Sequence, residues 1–220
     1  MKAVNDGYQK IRISIGATND NVIYCTHSYE MQHNKENNVL KFADEKYTGN
    51  ININSVNSDL IDSLLYKNYA IPTLGSVLSS IAPYDVEVTL ELKNIINKKT
   101  AQTIIDLIDQ YNVKAIISGS ATQLKPFIEL DDQLDIAHIF HYTPENAEFS
   151  IQQYAEKCNS LRFDCWYSDD IDVNHITDII HPDYKIKLGG DDPTKEELFN
   201  VLQWCDVVEW GYPLSSLTNQ

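Results

Sequence analysis

Apolar and polar residues alternate along this chain with two different periods, and the switches between them mark out its elements. Short β-branched runs at 11–15, 22–26, 86–93, 113–118, 134–140, 161–166, 184–188 and 206–210 read as strands. Between most of them the period lengthens to that of a helix. In "TAQTIIDLIDQY" (100–111), Ile104, Ile105 and Ile108 share one face behind a Thr cap. "TPENAEFSIQQYAEKC" opens with Thr143 as cap, Pro144 at the first helical position and Glu145 in the first turn. "DPTKEELFNVLQWC" repeats the device with Asp192 and Pro193 ahead of Leu198, Val201 and Leu202. Strands alternating with helices at this spacing predict βα units and a parallel sheet.

One connection breaks the rhythm. Only six residues separate Ile15 from Val22, too few for a parallel crossover, so these two runs should form an antiparallel hairpin. Leaving its second arm aside, seven parallel strands remain, one short of a closed (β/α)8 barrel. No linker or low-complexity tract interrupts residues 1–220, which read as a single barrel domain with a long Asn- and Lys-rich loop at about 28–57.

Alternation also predicts which side chains face the barrel axis. In "DVEVTLELK", Val86, Val88, Leu90 and Leu92 share one face, while Glu87, Thr89, Glu91 and Lys93 share the other. The apolar set should pack under helices and the polar set point inward, with Glu91 and Lys93 near the carboxyl end where such barrels build their sites. By the same logic Arg12 and Ser14 face inward, opposite Ile11, Ile13 and Ile15.

Charge removes one class of partner. The net charge of −15 argues against a polyanion, so no nucleic acid is expected. No apolar run reaches the roughly 18 residues of a membrane span, and "MKAVNDGYQK" lacks the apolar core of a signal peptide. Cys25, Cys158, Cys165 and Cys205 show no CxxC spacing, which suits buried free thiols in a reducing compartment rather than zinc. A cytoplasmic location is the default expectation, with a surface or viral assembly as the alternative.

With these elements in place, the chain resembles the glycerophosphodiester phosphodiesterase family. The family's G-A-D-x-I-E-L-D-V-x-x-T-x-D-G-x-x-V-x-x-H-D stretch runs without a gap along "GYQKIRISIGATNDNVIYCTHS" (7–28), where Gly7, Ile11, Thr18, Asp20 and His27 coincide. Its I-P-T-L-x-E-V-L is similar to "IPTLGSVL" (71–78), its L-E-L-K to "LELK" (90–93), and its G-V-D-G-I-I-T-D-Y-P to "WCDVVEWGYP" (204–213). The matches are colinear and extend over nearly the whole chain. The resemblance implies a TIM-type barrel of the phospholipase-C-like phosphodiesterase kind, using a divalent cation such as Ca²⁺ or Mg²⁺. That cation neutralises charge on phosphate oxygens while two histidines carry a proton.

Carried over position by position, most of that site is missing. The E-L-D carboxylates fall on Arg12 and Ser14, and Glu91 is the one surviving ligand position. Lys93 is kept; His27 matches the second histidine, with Ser28 where the family has Asp. The first strand and its histidine have no counterpart, so the chain is expected to be truncated relative to the family. The open edge left behind would need cover from a partner chain or from upstream sequence. Three carboxylates suit a hard cation; Arg12, Ser14 and Glu91 sum to no charge, so no metal and no cofactor are expected.

The residues keep sharp and plain readings side by side. Arg12 either grips a phosphate in place of the cation or pairs with Glu91 and plugs the old metal site. Lys93 either contacts phosphate or is structural. His27 is a relic or a proton carrier; His141, ending "IAHIFH", either stands in for the lost histidine or lies there by chance. Asp169 and Asp170 fit a solvated loop, Trp166 the core, and Trp210 the mouth of a polyol site. Function divides accordingly. One expectation is a phosphodiesterase-like domain with degraded or no activity. A second is an active hydrolase of glycerophosphodiesters or poly(glycerol-phosphate), completed from outside this sequence. A third is a non-catalytic module that binds a phosphate ester or serves a structural role.

Overall fold

The computed structural model describes residues 2–26, 30–31, 40–42, 51–66, 69–94, 96–141, 145–146, 149, 152, 160–166, 185–189 and 207–208. In chain order these form α1 (Lys2–Asn5), β1 (Lys10–Ala17), β2 (Ile23–Cys25), β3 (Glu30–Met31), β4 (Leu40–Phe42) and β5 (Ile51–Asn52). A 3₁₀ turn (Ile53–Ser55) leads to α2 (Ser58–Asp62), β6 (Leu64–Tyr66), β7 (Tyr69–Ala70), α3 (Leu74–Ile81), β8 (Glu87–Leu92) and α4 (Lys98–Tyr111). Then follow β9 (Ala115–Gly119), α5 (Ala121–Ile128), β10 (Asp135–His141), β11 (Ser160–Trp166), β12 (Lys185–Gly189) and β13 (Val207–Val208). The chain divides into two compact units, one of Gln9–Ala115 and one of Lys2–Tyr8 with Ile116–Gln220.

In the first unit β1 runs parallel to β8, paired from Lys10↔Glu87 to Ile15↔Leu92. It also pairs antiparallel with β2 through Ile15↔Cys25, Gly16↔Tyr24 and Ala17↔Ile23. The expected hairpin is therefore present. Its turn is closed by Thr18, whose Oγ1 accepts from the Val22 amide, and by Asn21, whose φ of 67° suits a residue that tolerates the left-handed region. The far edge of β2 meets the family-like "IPTL" segment: the Cys25 amide donates to the Pro72 carbonyl, and Tyr24 bridges Thr73. Thr73 then caps α3 by accepting from the Ser76 amide, while Ile71 packs against a core of Tyr24, Ile53, Ile61 and Leu64. The Tyr24 hydroxyl reaches through that core to Asp62 Oδ1 at 2.7 Å.

The stretch 28–57, expected as a loop, contains β3, β4, β5 and the 3₁₀ turn. β3 pairs with β5, and β4 with β6. Ile53 explains part of the difference: it is wholly buried, so the chain around it must satisfy its own backbone. α4 also starts earlier than its apolar periodicity suggests. Asn97, not Thr100, is the cap, accepting from the Thr100 amide at 2.9 Å, and Lys98 and Lys99 form the first turn. Thr100 is instead buried, and its hydroxyl donates to Asn21 Oδ1. Asn112, left-handed at φ 49°, ends the helix.

In the second unit β9, β10, β11, β12 and β13 are joined in that order, each pair parallel. Ile117, Ile136 and Ala137 lie in its core together with Leu124 and Phe127 of α5. Among the described residues no helix is long and apolar enough to cross a membrane.

Candidate functional site

Parallel pairing of β1 with β8 fixes the candidate site. Arg12 lies beside Thr89 and Ser14 beside Glu91, so the polar faces of the two strands coincide. The opposite faces set Ile11 beside Val88, Ile13 beside Leu90 and Ile15 beside Leu92, and Ile15, Val88, Leu90 and Leu92 are buried. A one-residue slip would turn Arg12 and Ser14 to the apolar face and the isoleucines to the face of Glu91, which is why the register is well specified.

On the polar face Glu91 is the hub. Ser14 donates its hydroxyl to Glu91 Oε2 at 3.1 Å, and the Arg12 Nε lies 3.4 Å from the same oxygen. Lys93, just past the end of β8, places its ammonium 2.5 Å from Glu91 Oε1. Both carboxylate oxygens are thus engaged. The Glu91 side chain is 5% exposed, against 17% for Arg12 and 19% for Lys93. Burial pushes the Glu91 carboxyl up. The Lys93 hydrogen bond, the charges of Arg12 and Lys93, and the Ser14 hydroxyl outweigh it and hold the group below its ordinary range.

Asn94 follows Lys93 beyond the carboxyl end of β8. It takes the place of a strand neighbour for Ala17, accepting from its amide at 3.2 Å and donating to its carbonyl at 2.9 Å, and it also hydrogen-bonds Asn54. Its role is not visible in the alternation, because its backbone already lies beyond β8. At the outer end of the same face Lys10 and Glu87 pair at 3.3 Å.

The donor set does not fit a divalent cation. A hard cation needs several anionic or carbonyl oxygens around it. Here the carboxylate has a guanidinium on one oxygen and an ammonium on the other. A cation entering would have to displace Lys93 or Arg12 and then share the site with the charge it displaced. Arg12 faces Glu91 across β1 and β8. Lys93 likewise faces Glu91.

The remaining sequence-selected residues are not brought to this cluster by anything described. His27 and Trp210 lie outside the described residues, as do Asp169 and Asp170. His141 and Trp166 are described as backbone only, paired with each other across β10 and β11. A residue the sequence did not single out is His138 on β10: it is 6% exposed, and burial pushes its imidazole down to about 4, so it is neutral at pH 7. Its position two residues from Ile136, on the same strand face, was the available signal. Cys25 is a free thiol pushed up to about 12 by burial, which makes it unreactive.

A parallel α/β chain with a polar cluster along two strands fits the TIM-barrel class, and the likeness to solved structures places it there. Within that class it has the fold of the glycerophosphodiester phosphodiesterases. It is similar to a structure from Silicibacter pomeroyi DSS-3 assigned as a glycerophosphoryl diester phosphodiesterase, at 12% identity and a TM-score of 0.79 over 97% of this chain and 83% of that one. The glycerophosphodiester phosphodiesterase of Agrobacterium tumefaciens str. C58 is also 12% identical, with a TM-score of 0.71 over 100% of this chain and 90% of that one. The enzyme of Thermotoga maritima is 13% identical, with a TM-score of 0.67 over 94% and 83%. No family model matches the sequence, and no curated protein matches it either.

Proposed function

We propose that this chain is a phosphodiesterase-like barrel whose cation site has become a fixed ion-pair cluster, and that it does not hydrolyse phosphodiesters by a metal-dependent route. The observation carrying this reading is the state of Glu91, whose two oxygens are held by Lys93, Arg12 and Ser14. Such a carboxylate is a poor cation ligand and a poor base. Its partners supply the positive charge that a bound ion supplies elsewhere in metal-assisted phosphoryl chemistry.

The partner we propose is a small phosphate ester or a glycerol-phosphate polymer. Arg12 suits phosphate geometry, and Lys93 adds a point charge beside it. A purely structural role is the competing outcome.

The test uses the purified chain with glycerophosphocholine and bis-p-nitrophenyl phosphate, with and without Ca²⁺ or Mg²⁺. The expected result is no turnover above buffer in either condition, and no micromolar cation site by calorimetry. Metal-stimulated turnover that disappears in Glu91→Ala would overturn the reading. Glycerol phosphate binding that weakens at least tenfold in Arg12→Ala supports the ligand. No binding by either protein leaves the structural role in its place.

A further inference from the structure

We draw no further inference here: the strongest candidate, the cavity of about 320 Å³ between the start of α5 and the middle of β10, lined by Ser120, Thr122, His138, Asn146 and Phe149, carries nothing because its polar side chains are already engaged by other groups of the protein and nothing in the structure shows what would fill it.

Discussion

Glu91 is where the chemistry of the cluster concentrates, and its removal is the most informative single change. Glu91→Gln keeps the shape but leaves Arg12 and Lys93, both more than four-fifths buried, without their shared counter-charge. Breaking one side of a buried ion pair costs about 3 kcal/mol, toward the lower end because these two cations retain some solvent. Urea denaturation at pH 7 should show that loss.

Acid should reveal two residues in turn. His138 has a folded value of about 4 against an ordinary 6.5, so the unfolded chain binds a proton there that the folded chain refuses. Stability should therefore fall between pH 6.5 and about 4, by up to about 1.4 kcal/mol per unit. In His138→Leu that slope should be missing. Glu91 is also depressed in the fold, relative to 4.5, so its contribution is complete above that value and lost as pH falls through the lower folded one. Glu91→Gln should lack this second, more acidic decline. A wild-type profile flat from pH 6.5 to 3 would contradict both assignments.

At the scale of elements, β1 and β8 owe their position to more than backbone pairing. Asn94 satisfies the Ala17 amide and carbonyl at the point where β1 passes into the hairpin turn. In Asn94→Ala both groups lose that partner in a buried setting, which predicts a loss of about 2–4 kcal/mol. Asn97→Ala removes the cap of α4 at an exposed position and should cost about 1 kcal/mol. Thermal or urea unfolding of the two variants orders them, and equal losses would mean that Asn94 is no more than a surface cap. The hairpin itself rests on the turn at Thr18–Asn21. Asp20 fastens that turn to α2 by accepting from the amide and hydroxyl of Ser58 at 2.9 and 2.7 Å.

For the whole molecule, the charge balance is the dominant physical property. With 32 acidic and 17 basic residues, the net charge of −15 opposes any polyanion unless its basic side chains are gathered on one face. Arg12 and Lys93 are the cations at the candidate site, and with Glu91 between them they leave only one net positive charge there. Duplex DNA should therefore show no submicromolar affinity by fluorescence anisotropy at physiological salt. A small ester, by contrast, meets the charge only locally, since the solution screens more distant charges beyond about 8 Å.

Much of this architecture could be read from the chain. Short β-branched runs located β1, β8 and the strands of the second unit to within a residue or two, and period-two alternation assigned the faces of β1 and β8. The six-residue gap decided the hairpin, since no crossover fits in it. The polar face carrying Arg12, Ser14, Glu91 and Lys93 was legible from the alternation within β1 and β8. Contacts between residues distant in sequence were not legible. That Arg12 and Lys93 share one carboxylate, that Asn94 replaces a strand neighbour, that Asn97 rather than Thr100 caps α4, and that Ile53 draws an Asn-rich stretch into the core all depend on register and packing. Local pattern determines which face each residue occupies; only the folded chain, by fixing the pairing of β1 on β8 seventy-seven positions apart, decides which residue it meets there.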